Sequence, residues 1–131
     1  MGLDNGIEIR RKENLPNCVL CFDEKWRKER GYDLEVAYWR KCWNVRSAIG
    51  DALGSFYDNG QTDVNRDEVL AIIKELKKFN KKNWECCGWN GSIWEWSEIK
   101  HHHRRCIRRL RRLARLMKKY PTIEVYFYDS Y

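Results

Sequence analysis

The residues best suited to chemistry form a run of arginines and lysines between residues 97 and 119. This segment holds ten Lys or Arg residues against a single acid, Glu98, so it carries +9, whereas the formal net charge of the whole chain is +7. The rest of the chain therefore sums to −2, and the basic charge is concentrated in one place. An arginine side chain binds phosphate through two parallel hydrogen bonds. The run therefore favours a phosphate-bearing ligand, with solvation or pairing to the chain's own acids as the alternative.

Within this segment the apolar residues recur three and four positions apart, which predicts one long amphipathic helix over residues 97–119. Ser97 is the candidate N-cap, and Pro121 ends the helix because it cannot continue the hydrogen-bond ladder. The predicted buried face comprises Ile99, His103, Cys106, Ile107, Leu110, Leu113, Ala114 and Met117. A helix that needs this face for the core is a poor candidate for lying on a membrane surface.

The remaining patterns predict the elements that position this helix. They are a strand at 7–10, a short strand at 18–22, a helix at 34–56, an extended stretch at 62–64, a second helix that runs to Phe79, an aromatic loop at 80–95 and a strand at 123–128. Asn65 and Glu68 have capping-box spacing before the second helix, whose predicted buried residues are Val69, Ile72, Ile73 and Leu76. These elements predict a single α+β domain over residues 1–131, with three helices packed on a small sheet that pairs the N- and C-terminal strands.

Composition indicates a folded, water-soluble protein, because 43% of the 131 residues are hydrophobic and 34% are charged. No apolar run approaches the roughly 20 residues that cross a membrane. The N-terminal residues also lack the apolar centre of a secretory signal. We therefore expect a cytoplasmic protein with free thiols and no membrane partner.

Cysteine and histidine spacing raises the question of zinc. Cys18 and Cys21 have ligand spacing, and Cys86, Cys87 and the histidines at 101–103 follow. Adjacent cysteines are not the usual second half of a zinc site, and three consecutive helical histidines point in different directions. We therefore expect free thiols, no metal and no cofactor. The chain also lacks a nucleophile elbow, a phosphate-binding glycine loop and a His-Glu-x-x-His motif, so we expect no enzymatic activity.

Several short motifs follow one another along the chain. They are Met1-Gly2-Leu3-Asp4 before a strand, Tyr38-Trp39-Arg40-Lys41, Asn59-Gly60 before a capped helix, Gly91-Ser92-Ile93-Trp94-Glu95-Trp96, and Tyr126-Phe127-Tyr128-Asp129-Ser130-Tyr131. In this order the motifs resemble a family of small phage and bacterial proteins, most of them without assigned function. The third helix of that family is usually acidic, whereas here it is rich in arginine. The resemblance implies an α+β fold and a mobile-element origin, but no reaction.

The resemblance groups the aromatic residues of these motifs, and aromatic rings can stack bases at about 1–3 kcal/mol per base. The predicted ligand-binding residues are Trp39, Arg40, Arg46, Trp89, Ser92, Trp94, Arg104, Arg108, Arg112, Tyr126 and Tyr128. The favoured function is binding of a nucleotide or nucleotide signal, which would make the protein a sponge in counter-defence within the host cytoplasm. The alternatives are DNA or RNA binding by helix 97–119, and docking on the acidic surface of a partner such as a host defence protein. A homo-oligomer is also compatible with the sequence.

Overall fold

A computed structural model describes residues 2–84 and 93–131 of the chain. Its sheet has four antiparallel strands, β1 (Asp4–Ile9), β2 (Leu34–Arg40), β3 (Gln61–Val64) and β4 (Val125–Ser130), in the order β2-β1-β4-β3. The helices are a 3-10 helix (Asn17–Phe22), α1 (Lys25–Glu29), α2 (Trp43–Leu53), α3 (Arg66–Leu76) and α4 (Trp96–Lys119). In the central pair, Ile7 of β1 lies opposite Phe127 of β4. The predicted α+β fold with paired N- and C-terminal strands is confirmed.

The long basic helix forms as the sequence predicts. All eight residues of the predicted buried face are buried in α4. The large apolar side chains among them, Ile99, Ile107, Leu110, Leu113 and Met117, each stabilise the fold by about 1.5–3 kcal/mol when removed from water. The N-cap is Glu95 rather than Ser97. The backbone N–H of Glu95 donates to the Glu98 carboxylate at 3.2 Å, and the N–H of Glu98 donates to the backbone carbonyl of Glu95 at 3.0 Å. The first of these bonds holds the carboxylate of Glu98 in the first turn, beside the positive end of the helix dipole.

Helix α3 also agrees with the sequence pattern. The side chain of Asn65 accepts a hydrogen bond from the backbone N–H of Glu68 at 2.8 Å, and the Glu68 carboxylate accepts one from the N–H of Asn65 at 3.0 Å. The four predicted core residues of this helix are buried. Helices α2, α3 and α4 pack side by side, with α4 also contacting β2, so the core lies between the helices and one face of the sheet.

Two predicted elements are wrong. The first part of the predicted helix 34–56 is strand β2, and α2 begins only at Trp43. Strand β2 forms because it pairs with β1, where Leu34 lies opposite Ile9 and Ala37 opposite Ile7. The predicted strand at 18–22 is instead part of the 3-10 helix. In that helix Val19 and Phe22 are three residues apart, so both reach the core on the same face of a three-residue turn.

Side chains alternate across each strand, so the sheet has a second face that points away from the helices. This second face is polar. Tyr126 and Tyr128 point to this face, whereas Phe127 points to the helices and is completely buried. Gly6 lies opposite Tyr128, and a Cβ atom at Gly6 would lie 2.4 Å from a ring carbon of that tyrosine. The tyrosine ring therefore occupies the space that any other residue at position 6 would need. Across the ranges 2–84 and 93–131, no helix has both the length and the apolar composition for crossing a membrane.

Candidate functional site

A groove of about 640 Å³ runs between α4 and the end of α3 with the turn that follows it. We call it the α3–α4 groove. Its cationic lining residues are Lys77, Lys81, Arg104, Arg108 and Arg111, and its aromatic lining residues are Phe79 and Trp96. No acidic residue among those described lines it. The groove therefore joins positive charge with flat apolar surfaces, which is what a phosphate-bearing aromatic ligand requires.

The floor of the groove is built on His103, whose side chain is 1% exposed. Its ring centroid lies 5.6 Å from that of Phe79, 5.3 Å from that of Trp84 and 5.9 Å from that of Trp96. Trp84 is completely buried and its indole N–H donates to the carbonyl of Trp94 at 2.6 Å. The packed rings therefore fix the positions of Phe79 and Trp96, the two aromatic residues that line the groove.

Hydrogen bonds determine the protonation of His103. The indole N–H of Trp39, which can only donate, lies 3.3 Å from Nδ1 of His103, so Nδ1 must accept. Nε2 lies 2.9 Å from the carbonyl oxygen of Leu76, so Nε2 carries the hydrogen and donates it. The ring is therefore neutral. Burial, the main cause, lowers the pKa of His103, and the bond to Leu76 partly opposes this effect.

No cation of α4 lies within ion-pair distance of an acid in the described part of the chain, although Glu35 interacts electrostatically with Arg109. The cations that form ion pairs within the described part of the chain all lie outside α4. They are Arg10, Arg11, Lys12, Lys25, Arg27, Arg46 and Lys78. Arg109 is used structurally, since it donates to the carbonyls of Val36 at 2.7 Å and Glu35 at 2.8 Å. Arg104, Arg108 and Arg111 are exposed, with Arg104 lying 5.9 Å from the centre of the Trp96 ring. Among the described residues, acids of the chain approach α4 on the side of Arg105 and Arg109, where Glu24 and Glu35 line the same cavity, and not on the side that lines the groove.

Some of the sequence-predicted site residues meet at this end of the molecule. Arg104 and Arg108 line the groove. Trp39 lies beneath it, 1% exposed, so its ring supports the floor and is closed to a ligand. Trp94 is half-buried, and its indole N–H donates to the carbonyl of Arg40 at 2.9 Å, which ties the segment before α4 to the end of β2.

Other predicted site residues lie elsewhere. Arg112 is exposed on α4, outside the groove lining. Arg46 is engaged with Asp129, its Nε lying 2.9 Å from one carboxylate oxygen. That bond helps lower the pKa of Asp129 against the opposing effect of burial, which is the larger single influence on it. Tyr126 is buried with its hydroxyl 2.7 Å from Glu8, so it and Tyr128 belong to the far face of the sheet.

Arg40 is exposed at the end of β2 and does not line the groove. Trp89 and Ser92, the last two predicted site residues, lie outside the described residues. The sequence pattern did not assign Lys77, Phe79 and Lys81 to the site, although the lysine-rich stretch around Phe79 was a signal that could have found them. Arg111 was recognised only as part of the basic helix face. These residues reach the site because α3 packs beside α4.

One cysteine–histidine pair could suggest nucleophilic chemistry. Sγ of Cys106 lies 3.4 Å from Nε2 of His102, but the same nitrogen is 2.5 Å from the carbonyl oxygen of Tyr38 and must therefore carry the hydrogen. Burial raises the pKa of the Cys106 thiol to about 11, so at neutral pH it is a protonated thiol without a base beside it. This pair does not form an activated nucleophile.

The cysteines with zinc-ligand spacing, for which free thiols were expected, lie only in part within the described residues. Cys18 and Cys21 are exposed free thiols, while Cys86 and Cys87 fall outside the described residues. Across the part of the chain that the structure describes, no three or more Cys, His, Asp or Glu side chains gather in a way that could hold a metal ion.

Comparison with models of protein families, with curated proteins and with solved structures finds no match to this chain.

Proposed function

We propose that the protein binds a phosphate-bearing aromatic ligand, of the nucleotide class, in the α3–α4 groove. The observation that carries the proposal is the lining of the groove, which combines five cations and two aromatic rings with no acid among its described residues. In this arrangement a base lies against Trp96, and the phosphates lie on Arg104, Arg108 and Arg111.

The aromatic part of the groove supports this ligand class over a simple anion. Trp96 is half-buried, and its ring packs against Trp84 at 5.6 Å between centroids, so it is a rigid surface with one part still accessible. A base stacked on such a ring gains about 1–3 kcal/mol. An inorganic anion would gain nothing from it.

The cationic part supports phosphate over a carboxylate of lower charge. Arg104, Arg108 and Arg111 follow one another at intervals of four and three residues, so they lie on one side of α4. A charge-assisted hydrogen bond from such a group contributes about 1.5–3 kcal/mol. Several phosphate oxygens offered together would also relieve the mutual repulsion of the arginines.

A capture role fits this site better than turnover, because the described lining of the groove holds cations and aromatic rings and no thiol, hydroxyl or carboxylate side chain. If the protein has the mobile-element origin that the resemblance implies, sequestration of a host nucleotide signal would extend the same proposal. Docking on an acidic protein is the competing function, and it draws on the charge of α4 alone. The two functions differ in one respect: nucleotide binding depends on the ring of Trp96, whereas docking on an acidic protein does not.

The experiment is a titration of the protein with ATP at low salt, measured by isothermal titration calorimetry. Arg104→Gln/Arg108→Gln removes two groove cations, and Trp96→Leu removes the stacking surface. Lys25→Gln/Arg30→Gln is the matched control, because it removes the same charge from exposed positions outside the groove.

We expect each groove variant to weaken ATP binding at least about tenfold, which corresponds to about 1.4 kcal/mol, and the control variant to bind as the wild type does. Mass spectrometry of the heat-released filtrate should show a phosphate-bearing small molecule from the wild type and none from Arg104→Gln/Arg108→Gln. ATP affinity that is absent in the wild type, or equal in all variants, would contradict the proposal. If ATP binding is weakened by Arg104→Gln/Arg108→Gln but not by Trp96→Leu, the result would favour an acidic protein partner.

A further inference from the structure

The basic face of α4 continues well beyond the α3–α4 groove. The exposed cations Arg104, Arg108, Arg111, Arg115 and Lys118 follow one another at intervals of three or four residues. Such residues share one side of a helix and are spaced about 4.5–6 Å along its axis. They form a continuous row, which we call the α4 row. Only its first three members line the groove.

A single nucleotide cannot use the whole row. Arg115 and Lys118 lie seven and ten residues beyond Arg108, which places them about 10 and 15 Å further along the helix axis. A ligand whose base rests on Trp96 reaches them only if it carries further phosphates in sequence. Among the described residues neither cation has an acidic partner.

The groove at the start of the row requires an unpaired base. In a duplex the faces of the bases are covered by their neighbours, so Trp96 and Phe79 would contact only the edge or the backbone. In a single strand the base faces are open, and stacking on aromatic side chains combined with a cationic track is the general mode of single-strand binding. The backbone of a single strand is also flexible enough to follow the cations along the helix.

We propose that the ligand is a single-stranded nucleic acid that inserts one base into the α3–α4 groove and lays its following phosphates along the α4 row. This inference rests on the proposed function of the groove and adds the class of ligand and its course over the protein. RNA and DNA share the chemistry that the site recognises, so both are tested.

Salt dependence measures how many phosphates the row contacts. For single strands the slope of log affinity against log salt is about −0.7 for each neutralised phosphate, so five contacts give a slope of about −3.5. Arg115→Gln/Lys118→Gln leaves three contacts and should reduce the slope to about −2.1. A groove ligand with three phosphates should show no change in this variant.

The experiment is fluorescence anisotropy with oligonucleotides of about twelve thymidines or uridines, which exceed the length of the row, over a series of salt concentrations. A hairpin in which the thymidine or uridine run is paired with an equal run of adenines provides the duplex arm, and ATP provides the mononucleotide arm. The variants are Arg115→Gln/Lys118→Gln, Trp96→Leu and the control Lys25→Gln/Arg30→Gln, each checked for an unchanged melting temperature. The variant at positions 115 and 118 should weaken oligonucleotide binding at least about tenfold and leave ATP binding unchanged.

The outcomes separate this inference from the proposed function. If Arg115→Gln/Lys118→Gln binds the oligonucleotides with wild-type affinity and slope, while Trp96→Leu loses ATP, the single-strand proposal is overturned and the groove proposal stands. A hairpin bound as tightly as the open strands also overturns it. If ATP and the oligonucleotides both fail to respond to Trp96→Leu, both proposals fail.

Discussion

Lowering the pH should destabilise this protein through His103, at a higher pH than that at which Asp23 and Asp129 are protonated. A proton added at Nδ1 would face the indole N–H of Trp39, 3.3 Å away, so two donors would meet and the existing bond would be lost. The ring is 1% exposed, so bulk solvent does not reach the new charge. These contacts explain why the pKa of His103 lies below its ordinary value.

The direction of the pH effect on stability follows from the number of protons that the folded and unfolded chains bind. An unfolded histidine has a pKa of about 6.5, so below that pH the unfolded chain binds a proton that the folded chain refuses. Stability is therefore fully present above about pH 6.5 and falls by up to about 1.4 kcal/mol per pH unit below it, until the lowered pKa of the folded state is reached. The pKa values of Asp23 and Asp129 are lowered in the folded protein, so these two residues reduce the free energy of unfolding only in stronger acid. Glu35 acts in the opposite direction, because burial raises its pKa and folding then favours its protonated form.

Urea unfolding followed by tryptophan fluorescence between about pH 7 and pH 5 measures this effect. With a denaturant slope of about 1–3 kcal/mol per molar, the midpoint should fall by roughly 0.5–1.4 M per pH unit. His103→Gln is the comparison, because it removes the titrating group while keeping a polar side chain. The variant should be less stable by about 1–3 kcal/mol at neutral pH, since buried polar partners lose their bonds, yet its midpoint should vary less with pH. Equal pH dependence in the two proteins would refute the assignment of a neutral, buried His103.

Three further predictions test the fold. Gly6→Ala should destabilise the protein by about 1–3 kcal/mol in thermal denaturation, because the new Cβ would lie 2.4 Å from the Tyr128 ring. Tyr128→Ala in the same chain should recover part of that loss, whereas strictly additive losses would contradict the clash. Asn65→Ala should cost about 1 kcal/mol through loss of the α3 cap, and an unchanged melting temperature would show that the cap is dispensable. Leu110→Ala should cost about 2–5 kcal/mol in urea unfolding, because this side chain is completely buried on α4; a cost below 1 kcal/mol would mean that its surroundings collapse to fill the space.

Elements whose stability is mostly local were predictable. The apolar period of α4 extends over many turns, so the face that must be buried follows from spacing alone, and every predicted member is buried. The α3 cap was predictable for the same reason, since its two partners are three residues apart. Strand β2 was not predictable in this way. The apolar spacing over 34–56 also satisfies a helix, and only pairing with a strand nearly thirty residues earlier resolves the choice.

For the candidate site, the sequence by itself determined the charge. It placed the cations of α4 on one face and set their intervals, because both follow from the helical repeat. Tertiary structure decided which aromatic rings could meet a ligand. Trp39 and Trp96 look equivalent as residues, yet the first is sealed under the floor by its bond to His103 and the second stands at the edge of the groove. Phe79 and its neighbouring lysines join the site only because α3 ends beside α4, and that proximity depends on packing between distant segments rather than on local sequence.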